Sequence, residues 1–191
     1  MLILLRHGQT TANAQALLQG HMNLPLDPEG ERQAQRSGEY LRATFPDALV
    51  ISSPLTRAHQ TALAVSNDVV IDERFIELDY GQWDGIALTD VDAQSWADWR
   101  ADPGFRPPGG ETLVELDARV RPALDEIAER AQHGHVIVVS HVSPIKSGVT
   151  WALGVGPEVS WRCQLDRASI CRIAISPRGP SLVALNDTSH L

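Results

Sequence analysis

Three short runs of consecutive apolar residues limit most what this chain can become: "LILL" (2–5), "ALVIS" (48–52) and "VIVVS" (136–140). Apolar and polar residues do not alternate in them, so neither face of such a strand can meet water. That is the pattern of a central strand in a parallel sheet covered on both sides. Helical patterns lie between the runs. Asp27-Pro28 reads as a cap followed by proline at the first helical position, and predicts a helix to about Phe45. A second helix is expected from near Pro54 to about Ser66. A third starts near Glu111, where Leu113, Leu116, Val120, Leu124, Ile127 and Ala131 recur every three or four residues. Pro122 falls inside that stripe and predicts a kink or a short break. A fourth follows His141 to about Leu153, and "ASICRIAIS" and "SLVAL" read as a closing hairpin or edge strands. Strands alternating with helices specify an α/β fold, a three-layer sandwich with a mostly parallel sheet and helices on both faces.

At 191 residues the chain is expected to form a single domain, 1–191. The stretch 79–110 fits the alternation least. It is rich in Gly, Pro and Asp and holds three of the five Trp (Trp83, Trp96, Trp99), so it reads as an irregular excursion, either a lid over one sheet end or an ordinary long connection. Those Trp fit a core role as well as a substrate surface. The net charge of −8 argues against nucleic acid or an anionic membrane as a main partner. It leaves room for a small anionic ligand, because a few clustered Arg override the global field at short range. No stretch approaches the roughly 20 apolar residues of a membrane span. Cys163 and Cys171 lie outside any C-x-x-C spacing, and together these features read as a cytoplasmic protein with reduced thiols.

In an open α/β sheet the ligand sits beyond the carboxyl ends of the strands. After "LILL" come Arg6 and His7; after "ALVIS" comes "SPLTR" with Arg57; after "VIVVS" comes His141. Each residue alone also fits a surface or cap role. Four such groups on one edge of an acidic chain point to a phosphoryl-binding site. Two Arg can fork onto phosphate oxygens, Gly8 would let the backbone approach a ligand, and the helix starts after residues 53 and 141 would aim N–H groups at it.

These residues also carry a resemblance. "LLRHGQT", Asn13, "QGHMNLPLDPEGERQA", "SSPLTRAHQTA", "IELDYGQWDG", "PGGETLVEL" and "VVSH", in that order, closely resemble the histidine phosphatase superfamily, in its phosphoglycerate-mutase-like branch. The resemblance implies a phosphatase that hydrolyses a small phosphomonoester, with His7 as nucleophile and phosphohistidine carrier. Arg6, Arg57 and His141 would hold the phosphoryl oxygens, and Glu77 would be the proton donor. Asn13, Gln19, Gly20 and Val142 would line the phosphate. Without the resemblance, Glu77 reads equally as an exposed turn carboxylate. No metal or cofactor is called for by this chemistry, and the oligomeric state stays open, a homodimer included. Val142 departs from the glycine common in the family at that place, and "SHVSPIK" looks more like the phosphatases than the mutases. Lys146 and His21 read as surface residues. A cofactor-dependent phosphoglycerate mutase is the rival enzyme, disfavoured because the segment after Glu77 is short and holds only Arg100 and Arg106 against Asp84, Asp90, Asp92, Asp98 and Asp102. A non-catalytic module that binds phospho-ligands is the rival from another class.

Overall fold

Each of the three apolar runs forms a strand, and all three run parallel. The computed structural model describes residues 1–191. Its order is β1 (Leu2–Arg6), α1 (Thr11–Ala14), α2 (Pro28–Thr44), β2 (Leu49–Ser52), α3 (Thr56–Leu63), β3 (Val69–Ile71), α4 (Ala93–Ala101), α5 (Leu113–Ala131), β4 (Val136–Ser140), α6 (Val142–Leu153), β5 (Ile170–Ser176) and β6 (Gly179–Asp187). The sheet order is β3-β2-β4-β1-β5-β6. The first four of these are parallel neighbours, and β5 and β6 join antiparallel at the far side of β1. The expected terminal hairpin is therefore present, and the sheet is mixed.

The lack of alternation in the apolar runs has a direct cause. In β1, Leu2 and Leu4 face a core shared with α5 and α6, through Leu116, Val120, Ile145 and Val149. Ile3 and Leu5 face the other side, where Leu41 of α2 and Ala58 and Ala62 of α3 pack. All four are essentially inaccessible. Each Leu or Ile so buried contributes roughly 1.5–3 kcal/mol of transfer free energy, so a polar residue on either face would be costly.

Several expectations are corrected. Helix α5 starts at a Thr112–Glu115 capping box and runs unbroken through Pro122. Proline there removes one amide donor, the partner of a single carbonyl one turn back, and the stripe Leu116–Val120–Leu124–Ile127 holds the helix on the core on both sides of it. The excursion 79–110 is not irregular throughout. Asp92 caps a nine-residue helix, α4, whose side-chain carboxylate accepts from the Ser95 N–H at 2.9 Å. Trp99 of α4 is 3% exposed and stacks among Trp96, Trp161 and Phe105, and Trp83 packs against the same core.

Candidate active site

Because β1, β2 and β4 are parallel, their carboxyl ends share one edge. The register places Arg6 beside Ser140 and Ser52 beside Val139. The next residues continue the ladder: the His7 N–H donates to the Ser140 carbonyl and the Ser53 N–H to the Val139 carbonyl, both at 3.0 Å. His7 and His141 therefore stand side by side, with ring centroids 5.1 Å apart and ring planes tilted by 59°. Arg6, His7, Asn13, Gln19, Gly20, Arg57, Glu77 and Val142 all line one cavity of about 840 Å³. His141 sits behind it, fully buried, its Nε2 sharing a 2.7 Å hydrogen bond with Ser53 Oγ.

The hydrogen bonds of His7 assign its tautomer. Nδ1 lies 2.6 Å from the Gly8 carbonyl, which can only accept, so Nδ1 carries the proton. Arg57 Nε lies 3.2 Å from His7 Nε2 and can only donate, so Nε2 presents a lone pair. Burial lowers the His7 pKa well below the ordinary histidine value, and the charges of Arg57 and Arg6 lower it further. His141 is pushed down in the same way, first by burial and then by Arg57. Both imidazoles are neutral at pH 7.

That has a measurable consequence. Both folded values lie below the unfolded value of about 6.5, so the unfolded chain takes up these protons first. Stability is unaffected by them above pH ~6.5 and falls as the pH drops below it. Burial lowers His190 also and adds in the same direction. Urea midpoints should therefore decline between about pH 6.5 and 5, and a His141→Gln variant should decline less steeply. A midpoint that stays level across that interval would contradict the neutral pair.

Arg57 is 1% exposed and held at all three nitrogens: NH1 donates to the Met22 carbonyl (2.6 Å) and NH2 to the Gly20 carbonyl (2.9 Å), besides Nε to His7, which leaves two of its five N–H donors. Burial lowers its pKa to about 10, so it stays charged. Gly20 has φ +43°, and a Cβ there would meet Asp84 Oδ1 at 2.0 Å, so this position needs glycine on two counts. Arg6 donates NH1 to the Leu165 carbonyl at 2.7 Å and leaves its buried Nε without a partner. Gln19 accepts from Thr10 Oγ1 at 2.8 Å, and Asn13 Oδ1 accepts from the Thr10 N–H at 3.2 Å, which ties both side chains to the first turn of α1.

Four site expectations change. Gly8 does not serve ligand approach: a Cβ there would lie 2.4 Å from the Gly30 carbonyl oxygen, so glycine is needed because the first turn of α2 packs on it. The helix starts do not aim free amides at a ligand. The Thr56 N–H donates to Asn23 Oδ1 at 2.7 Å. The Val142 and Ser143 N–H groups donate to Glu77 Oε2 and Oε1, at 3.2 and 3.0 Å. His141 supplies no side-chain cap to α6, so Glu77, from 65 residues earlier, caps it. Glu77 is 5% exposed, not a turn residue in solvent, and Oε1 also accepts from the Leu78 N–H. Lys146 is no surface ornament: it is half-buried with Nζ 5.9 Å from the Trp161 ring, and burial lowers its pKa. His21 does stay exposed, but its Nε2 donates to the Glu77 carbonyl at 2.9 Å.

Other residues of the site gave no pattern in the sequence. Arg119 of α5 donates to the carbonyls of Arg74, Ile76 and Glu77 and pairs with Glu111 at 2.7 Å, which holds the segment that presents Glu77. Trp161, Asp166 and Arg167 line the same cavity, as does Trp96, one of the three Trp that the sequence offered as core or substrate surface.

Known proteins resemble this chain over its whole length. A bifunctional protein of Mycobacterium tuberculosis is 38% identical over 198 residues, covering 100% of this chain and 54% of that protein. The chain thus spans about half the length of the mycobacterial relatives it matches at that identity. Phosphoserine phosphatase 1 of Hydrogenobacter thermophilus is 32% identical over 200 residues, covering 100% of this chain and 93% of that one. Among solved structures, a variant phosphoserine phosphatase of Entamoeba histolytica in complex with phosphoserine superposes with a TM-score of 0.91 at 25% identity, covering 100% and 98% of the two chains. A profile of the histidine phosphatase superfamily (branch 1) matches residues 2–188, which takes in every residue that lines the cavity except Leu191. By its sequence, its fold and the histidine pair at one sheet edge, the chain belongs to the histidine phosphatase superfamily, branch 1.

Proposed function

We propose that this protein is a phosphatase that hydrolyses a small phosphomonoester through a phosphohistidine on His7. The observation that carries the reading is the His7 tautomer: a neutral imidazole with Nδ1–H held by the Gly8 carbonyl and a lone pair on Nε2 beside Arg57. In the first step Nε2 attacks phosphorus and the P–O bond to the organic group breaks. Arg6, Arg57 and His141 hold the three remaining oxygens, and positioning with charge stabilisation supplies most of the catalysis. A proton from the Glu77 carboxyl neutralises the leaving alkoxide. In the second step water attacks phosphorus, the N–P bond breaks with its electron pair returning to Nε2, Glu77 takes the water's proton, and inorganic phosphate leaves with His7 neutral again.

The phosphoserine named for two of the relatives supports a small acidic ester as the first substrate to assay. The cytoplasm is the compartment this reading expects; both cysteines are free, and no helix is long and apolar enough to cross a membrane. The hydrolase is favoured over the mutase because neither arginine of the segment after Glu77 lines the cavity. Arg106 pairs with Glu115 at 2.6 Å, and Arg100 stacks over Trp96 and Trp161. Phosphate release from p-nitrophenyl phosphate and phosphoryl shift in 3-phosphoglycerate, assayed side by side, test this. Release should outpace the shift by about 10-fold or more, a difference of at least ~1.4 kcal/mol in barrier. Faster mutase turnover would overturn the hydrolase reading.

A further inference from the structure

Beside Arg6 and His7 the cavity holds a further cation, Arg167, to which the phosphate chemistry gives no role. We propose that Arg167 reads a carboxylate on the substrate, so that the preferred esters are phosphorylated small carboxylic acids. The proposal rests on the phosphatase reading and specifies its substrate class.

The loop that carries Arg167 is built against the catalytic strand. The Arg6 N–H donates to the Ser169 carbonyl (3.0 Å), the Ala168 N–H to the His7 carbonyl (3.1 Å), and Arg6 NH1 to the Leu165 carbonyl (2.7 Å). Ala168 is fully buried at φ +55°, a left-handed conformation that residues with a Cβ rarely adopt. A second left-handed residue, Asn186 (φ +57°) in β6, clamps the preceding Asp166: Asn186 Oδ1 accepts its N–H at 2.6 Å and Nδ2 donates to its Oδ2 at 2.8 Å. Two unfavourable backbone positions thus present Arg167 into the cavity beside Arg6 and His7.

The guanidinium is oriented but not neutralised. NH1 donates to Gln9 Oε1, and Gln9 in turn donates to Asp27 at the cap of α2 (2.9 Å). NH2 donates to the Asn13 carbonyl at 2.7 Å. No carboxylate lies within 4.0 Å of Arg6, Arg57 or Arg167, although the chain forms ion pairs elsewhere. Asp166, the adjacent acid, is bonded instead to Asn186 and Gln164. Of five N–H donors on a guanidinium, three remain on Arg167. The two charges of Arg6 and Arg57 match a phosphate dianion. The third matches one carboxylate. A second phosphate dianion would bring two charges to one cation, in a cavity that already contains Glu77 and Asp166.

Matched ester pairs test this. O-phosphoserine differs from phosphoethanolamine, and 3-phosphoglycerate from glycerol 3-phosphate, by the carboxylate; p-nitrophenyl phosphate reports the phosphate end alone. The wild-type chain should favour the carboxylated member of a pair in kcat/KM. Arg167→Met should lose ~10–10²-fold on that member, the worth of one charge-assisted hydrogen-bonded pair. That loss should exceed its loss on p-nitrophenyl phosphate by ~10-fold or more, with Arg167→Lys between the two. Three results would overturn the assignment: a wild-type enzyme blind to the carboxylate, a Met variant with no loss, or equal losses on all five esters. Failure of the wild-type chain to hydrolyse any of them would overturn the phosphatase reading itself, and this proposal with it.

Discussion

Replacing His7 by alanine is expected to lower kcat by about 10⁵-fold or more, because a covalent path vanishes when its nucleophile does. The fold should survive. His7 is 2% exposed, and its loss leaves the Gly8 carbonyl and Arg57 Nε without partners, a cost of about 1–3 kcal/mol each at most. The diagnostic measurement is rapid quenching into alkali with a radiolabelled ester: label should appear on the wild-type chain during turnover and be absent from His7→Ala. Full turnover in the variant would sink the mechanism. A phospho-ligand function that persists in His7→Ala without turnover in either protein would identify a binding module instead.

Glu77→Gln should separate two classes of ester. An alkyl phosphate needs a proton on its leaving oxygen, so its rate should fall by ~10²–10⁴-fold. p-Nitrophenolate departs without one, so the first step on that ester should fall by less than ~10-fold. The second step still needs Glu77 to accept a proton from water, and phosphoenzyme should accumulate. Stopped-flow traces should show a burst of p-nitrophenolate followed by slow turnover. Glutamine keeps a carbonyl for the Leu78 and Ser143 N–H groups but sets an amide donor against that of Val142. A stability loss on the order of 1 kcal/mol should accompany the kinetic change. Equal losses on both esters with no burst would remove Glu77 from the proton path and leave it as the cap of α6.

The parts of the molecule that declared themselves in the sequence are those whose signal is local. Strands β1, β2 and β4 begin and end within about a residue of their apolar runs, since burial on both faces leaves a continuous pattern. The cap at Asp27 marks α2, and the apolar stripe from Leu113 to Ala131 marks α5. Elements with little buried surface gave no such mark. Strand β3 is three residues long with Val70 and Ile71 exposed, and α4 buries only Trp99, so neither shows a period. The short α1 is a single turn held by its Thr10–Asn13 capping box.

The sequence by itself determined the layered α/β fold and the meeting of Arg6, His7, Arg57 and His141 at one edge, because parallel strands must bring their carboxyl ends together. Only the tertiary structure decided what those groups and their neighbours do. The amides at the start of α6 hold Glu77 instead of facing open space, the Gly8 carbonyl selects the His7 tautomer, and Arg167 enters the same cavity from the loop before β5. The reason is range. Periodicity and capping are written within a few residues, whereas a hydrogen bond across 65 positions exists only after the sheet has brought both partners to one place.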